Sequence, residues 1–339
     1  MGGKTHLVVA NPTAQSGKNA ARITRVIELF RQHGISADML PTLPAGGTVA
    51  SVRDALRAGG PKVVIAMGGD GTFREVAAGL LESGRAEEVA LGMMPTGTAN
   101  DQGRSFGLSA SEGALERNVE VIAAGHETRL DAGRITARND DGDHAERTWF
   151  FDSAGWGISA RVLAERNKDR ALVETLPVVR EFWRDKLVYA GAFVRVFLDS
   201  YVVSDKFDAV VIADGVRHEL GNLTDLIVKA TRIYAGAWIF DRDAQHDDGR
   251  FEIVPFVGKR DWTSKAMLDF EGNPLTEEAL NAIGVRHSEQ ISAAKIELTM
   301  SPRPGARPLA AQLDGEELIA TPHVTIEVVP RAIRLVVPE

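Results

Sequence analysis

Three short stretches combine glycine, small hydroxyl residues and acids in a way that suits phosphate. They are NPTAQSGKN at 11–19, GGDGT at 68–72 and PTGTAND at 95–101. Glycine loses more backbone freedom on folding than any other residue, so a cluster of it needs a compensating gain. That gain is either a tight turn or backbone N–H groups brought directly against a ligand. Backbone donors at a helix N-terminus form a ready anion site. Asp70 stands among Gly68, Gly69 and Gly71, where a carboxylate could carry a magnesium ion to the phosphates they cradle. Each stretch alone also reads as an ordinary strand-to-helix turn capped by Thr or Asp. Three of them at successive strand ends argue against coincidence.

The elements that must position these loops are legible in the apolar pattern. Apolar runs at 5–10, 62–67 and 89–95, with a weaker one at 36–42, predict strands. Between them, 20–33, 48–58 and 72–81 have helical periodicity, with Ile23, Val26, Ile27 and Phe30 on one face of the first helix. Strands alternating with helices of this length imply parallel pairing in an α/β layered domain, with ligands beyond the carboxyl ends of the strands. After about residue 127 the style changes to short β-type segments such as TWFFDSAGWG, FDAVVIADGV and GRFEIVPFV. The expectation is an α/β domain over 1–127 and a mainly antiparallel β domain over 128–323. A charged helical insert, about 164–200, interrupts the second domain, and a closing strand, about 324–339, could return to the first.

The chain has 339 residues, 44% hydrophobic and 25% charged, as in an ordinary globular protein. Its formal charge of −8 gives no support for nucleic-acid binding, which leaves a basic footprint. Without cysteine there are no disulfides, thiolate nucleophiles or Cys-ligated metals, which is compatible with a cytoplasmic location. No stretch approaches the ~20 apolar residues of a membrane span. The eight histidines show no metal-ligand spacing. A G-x-x-x-x-G-K-[ST] loop is absent, as is a G-x-G-x-x-G following a strand, which excludes the P-loop and dinucleotide signatures.

GGDGT followed by Glu75-Val76, then P-x-G-T-x-N-D, and an opening NP…SG resemble the catalytic domain of the diacylglycerol kinase family, which includes sphingosine and ceramide kinases. The GGDG turn is shared more distantly with NAD kinases and 6-phosphofructokinases. HDDGRFEIV at 246–254 and QLDGEEL at 312–318 are similar to two further segments of that family. The resemblance implies ATP binding by Asn11, Thr42 and Gly68, Gly69, Asp70, Gly71 and Thr72, completed by Thr98 and Asn100. It implies that Asp70 and Asp101 organise catalytic Mg²⁺ and that Glu316 is the general base. It also implies a separate structural Mg²⁺ held by Asp248 with the backbone carbonyls of Gln245 and Arg250. Without the resemblance, Glu316 reads as a solvated turn residue, and Asp248-Gly249 as a plain hairpin turn.

Departures are as informative. Arg74 stands where the family usually has Asn, and Gln102 replaces a frequent aromatic. The first loop is longer than NPxSG. Residues 152–198 look more like the sphingosine and ceramide kinase region, but Arg161 and Leu163 occupy the neighbourhood where an acid would meet a lipid amine. The expected substrate is therefore a neutral lipid alcohol, diacylglycerol or ceramide, phosphorylated by ATP; the alternatives are a sphingoid base or other lipid alcohol, or a soluble substrate as in an NAD kinase. Basic residues of the insert, among them Arg166, Lys168, Arg170 and Arg184, are interleaved with acids. They read either as a peripheral membrane contact or as a solvated lid. A homodimer is compatible with the sequence.

Overall fold

A computed structural model describes residues 5–13, 18–97, 100–139, 145–165, 206–234, 244–258 and 290–339. Thr98 and nearly all of the expected insert, 166–200, lie outside the described residues.

The first half follows the apolar pattern closely. It runs β1 (His6–Ala10), α1 (Lys18–Gln32), β2 (Ala37–Pro41), α2 (Gly47–Arg57), β3 (Val63–Gly68), α3 (Asp70–Ser83), β4 (Ala90–Pro95), α4 (Asp101–Ser105) and α5 (Leu115–Ala124). Strands β2, β1, β3 and β4 pair in parallel in that order. Alternation along each strand sends side chains to both faces. Leu7, Val9, Val64 and Ala66 pack with Val52, Leu56, Phe73, Val76 and Leu80 of α2 and α3. Val8, Ala10, Ile65 and Met67 pack with Ile23, Val26 and Phe30 of α1 and with Val119 and Ile122 of α5. Both faces are thus covered, as a parallel sheet requires.

The rest of the described chain is β5 (Glu127–Arg138), β6 (Ala145–Phe150), β7 (Ser153–Gly157), a helix at 158–165, β8 (Phe207–Ala213), β9 (Val216–Lys229), β10 (Phe251–Val257), β11 (Ile291–Ala293), β12 (Lys295–Pro302), β13 (Ala311–Leu313), β14 (Glu316–Leu318) and β15 (His323–Val336). The pairs among β5 to β14 are antiparallel. Their core gathers Phe150, Trp156, Phe207, Val211, Leu226, Phe251, Ile296 and Ile326.

One sheet joins the two halves, in the order β14-β13-β7-β9-β8-β12-β15-β4-β3-β1-β2. Its junction is β15, antiparallel to β12 and β5 and parallel to β4 at Leu335 and Leu91. β15 is a single strand from His323 to Val336. Its register against β5 shifts between Val329 and Ile333, where Arg331 adopts a positive φ of 52°. An irregularity of this kind bends a strand and raises its twist without ending it.

Candidate active site

Register brings the three loops together. Ala10 pairs with Met67, and Gly68 pairs with Pro95, so β1, β3 and β4 end at one level. At the first end, Thr42 N–H donates to the Ala10 carbonyl at 3.0 Å, which places Thr42 beside Asn11. Asn11 Oδ1 accepts from Thr13 N and Oγ1 at 3.0 and 2.8 Å. The buried Asn19 donates from Nδ2 to the Asn11 carbonyl at 2.6 Å, closing the loop onto α1.

At the second end, α3 begins at Asp70, two residues earlier than expected. Gly69 is its N-cap in extended conformation, and Asp70 is in its first turn, where a negative charge complements the helix dipole. Gly71 and Thr72 therefore belong to the helix. The glycines are needed for close approach: a Cβ on Gly97 would lie 2.6 Å from the Gly69 Cα, so the second and third loops touch backbone to backbone. A Cβ on Gly68 would meet the Thr72 hydroxyl at 2.3 Å.

The third loop is held by Asn100, a buried residue in the left-handed region at φ 53°. Its Oδ1 accepts from Gly97 N at 3.0 Å, and its Nδ2 donates to the Gly97 carbonyl at 2.6 Å. Asp70 Oδ1 accepts from Gln102 N at 3.2 Å, tying α3 to the start of α4. Burial raises the Asp70 pKa, opposed by the N–H groups of Gln102, Asp101 and Asn100. Asp70 therefore fastens the start of α3 to the third loop.

Asp70 and the buried Asp101 offer hard oxygen ligands, which suit Mg²⁺. Among the described residues no group of three or more His, Asp or Glu side chains is arranged to hold a metal. A magnesium ion held by Asp70 and Asp101 would draw its remaining ligands from nucleotide phosphates and water.

Glu316 reaches this cluster from the far end of the chain. Leu313 pairs with Glu316 across the two-residue turn Asp314-Gly315, and both turn residues have positive φ, 47° and 75°. That is the type I′ geometry for which Asp-Gly is suited. Asp314 is buried and accepts N–H bonds from Phe151 at 2.9 Å, Asp152 at 2.8 Å and Ser153 at 3.0 Å. These bonds pin the hairpin to the end of β6 and the start of β7. Glu316 then lies over the start of α3, where a Cβ on Gly71 would be 2.3 Å from its Oε1. Arg74, one turn into α3, donates from Nη2 to Glu316 Oε2.

Beneath the hairpin lies a buried acidic pair. Burial pushes Asp152 up to about 7, reinforced by the charge of Asp314 and opposed by the Thr231 hydroxyl, which donates to it. Burial likewise pushes Asp314 up to about 6, opposed first by the Arg74 charge and then by its three backbone donors. No sequence motif singles out Asp152, Asp314 or Asn19, and Arg74 stands out in the sequence only as a departure. Asp314 comes nearest, since it opens the DGE segment.

Gln245, Asp248 and Arg250 form a separate turn. Asp248 Oδ1 accepts from Arg250 N at 2.9 Å, and Gly249 N donates to the buried Asp131 at 2.6 Å. The Arg250 side chain turns away to Asp214 Oδ2 at 2.8 Å. His246 packs edge-on against Phe106, with centroids 4.9 Å apart. The Gly249 bond fastens the turn to β5, and the Arg250 and His246 contacts tie it to Asp214 and Phe106.

The fold is similar to those of diacylglycerol kinase and NADH kinase structures, and residues 5–135 match the diacylglycerol kinase catalytic domain. Over 152 residues the chain is 30% identical to a probable lipid kinase YegS-like of Enterobacter sp. (strain 638), covering 44% of this chain and 46% of that protein. A probable lipid kinase YegS-like of Klebsiella pneumoniae (strain 342) is 31% identical over 149 residues, or 44% and 45% of the two chains. The matched stretch is thus less than half the length of these relatives. A diacylglycerol kinase structure from Bacillus anthracis str. Sterne covers 100% of this chain and 98% of its own, with TM-score 0.66 and 16% identity. A yeast NADH kinase structure covers 99% and 84%, with TM-score 0.50 and 6% identity. At these identities the two structures speak for the fold.

Proposed function

We propose that the protein is an ATP-dependent lipid kinase that transfers the γ-phosphoryl group to the primary hydroxyl of a neutral membrane lipid, diacylglycerol or ceramide. The observation that carries this reading is the contact of Glu316 with Gly71. It sets a carboxylate over the same helix turn whose glycines and N–H groups suit phosphates.

Phosphoryl transfer needs positioning and neutralisation more than covalent help from the protein. Asn11, Thr42 and the 68–72 turn would hold the nucleotide, with Thr98 and Asn100 completing its pocket. The acceptor hydroxyl would sit between Glu316 and the γ-phosphorus. As its oxygen bonds to phosphorus and the bond to the β-phosphate oxygen breaks, its proton passes to Glu316 and ADP leaves. General-base help of this kind contributes roughly 10²–10⁴-fold. Mg²⁺ held by Asp70 and Asp101 would neutralise charge on the phosphates.

A neutral acceptor is favoured by Arg161, whose Nη2 donates to the Pro308 carbonyl at 2.6 Å, and by the buried Leu163. Neither could pair with a lipid amine. Among the described residues no helix is long and apolar enough to cross a membrane.

The test is to incubate the protein with labelled ATP and a total lipid extract, and to identify labelled product by mass spectrometry. Phosphatidic acid or ceramide 1-phosphate is the expected product. Phosphorylation of NAD with no labelled lipid would overturn the reading.

A further inference from the structure

Arg74 sits on α3 facing the 314–316 hairpin, and its side chain is only 19% exposed. Its Nη2 pairs with Glu316 Oε2, while its charge also acts on the buried Asp314. Its Nε is buried with no hydrogen-bond partner among the described residues, so this cation is anchored through the acids it faces. Gly71, one turn earlier, leaves the notch that the other Glu316 oxygen fills. One carboxylate oxygen is thus held by a cation, while the other lies against bare backbone. Glu316 is itself half-exposed on a three-residue strand, and of these contacts the Arg74 pair is the one that involves charge.

We propose that Arg74 is a positioning residue for phosphoryl transfer, holding Glu316 over the first turn of α3 with the carboxylate aimed at the acceptor hydroxyl. The proposal rests on the reading of Glu316 as general base. Arg74 acts through Glu316 and is not assigned a contact with the nucleotide. Because one nitrogen makes the contact, a lysine that reaches the same oxygen can replace it, which a bidentate site would not allow.

The experiment measures kcat and the KM for ATP on mixed micelles containing diacylglycerol and ceramide, for wild type, Arg74→Ala, Arg74→Lys, Glu316→Gln and the double variant Arg74→Ala/Glu316→Gln. Arg74→Ala is expected to lower kcat about 10- to 100-fold with the ATP KM within about twofold, a loss confined to the chemical step. Arg74→Lys is expected to recover kcat to within about fivefold of wild type. In the Glu316→Gln background, Arg74→Ala is expected to cost nothing further, because the two residues act as one unit. If Arg74→Ala does not fold, Arg74→Met keeps the aliphatic stem and replaces it in each comparison.

A large rise in the ATP KM with kcat unchanged would overturn the proposal in favour of a phosphate contact. A folded Arg74→Ala with wild-type kcat would overturn it too, and would leave the base assignment standing if Glu316→Gln is inactive. An active Glu316→Gln, or wild type that phosphorylates neither lipid, would overturn the functional reading and this inference with it.

Discussion

The Glu316 carboxylate lies in a notch that exists because residue 71 has no side chain; a Cβ there would come within 2.3 Å of Oε1. Residues 245 positions apart thereby share one surface, the start of α3. The obstructing atom is the tip of a flexible side chain, which can move aside cheaply. Gly71→Ala should therefore leave stability within about 1 kcal/mol, since alanine is the better helix former. It should nevertheless lower kcat at least about tenfold by displacing the carboxylate. Thermal melting and steady-state kinetics on the same preparation separate the two effects. A variant with wild-type kcat would place the working position of Glu316 elsewhere.

The contact between Gly69 and Gly97 is of a different kind, because backbone meets backbone. Gly97→Ala puts a methyl 2.6 Å from the Gly69 Cα, and neither loop can yield without dragging its strand end. Overpacking of this sort costs about 1–3 kcal/mol. The variant should melt lower and bind ATP at least about tenfold more weakly, because the loops proposed to hold phosphates are parted. Isothermal titration with a non-hydrolysable ATP analogue checks this, and unchanged affinity would show that the two loops do not act together on the nucleotide.

Asp152 makes a pH prediction whose sign is fixed by its environment. Burial raises its carboxyl to about 7, well above the 3.8 of an ordinary Asp. Between those values the folded protein keeps a proton that the unfolded chain releases. The stability this confers is complete below about pH 4 and is lost as the pH rises through about 7. Asp152→Asn has no proton to lose. Its melting temperature should fall less than that of wild type, or not at all, between about pH 5 and pH 8. Parallel melting curves for the two proteins across that range would contradict the assignment.

Much of this was legible in the residues. Apolar runs placed β1, β3 and β4 within a residue or two because strands buried on both faces read as continuous hydrophobic segments, whereas the edge strand β2, largely exposed, left the weaker run. The glycines of GGDGT read as a turn that ended before Thr72, whereas only Gly69 is the cap and Asp70 opens the helix. A glycine pair before an acid signals a turn and a helix start equally well. Asp131, Asp152 and Asp314 were not legible as buried groups. Acids are usually exposed, and only the three-dimensional convergence of backbone N–H groups on Asp314 reveals why this one is not. Arg74 was visible as an unusual residue, but its partner lies 242 positions away. That pairing depends on a type I′ turn and on β13 joining the sheet beside β7. Local pattern carries no information about such a meeting.

Glu316→Gln tests the central claim most directly. Glutamine keeps the size of the side chain and an oxygen for Arg74 but cannot take a proton at neutral pH. Folded Glu316→Gln should bind ATP within about threefold of wild type and lose at least about 100-fold in lipid phosphorylation at saturating ATP. Wild-type turnover by the folded variant would contradict the account.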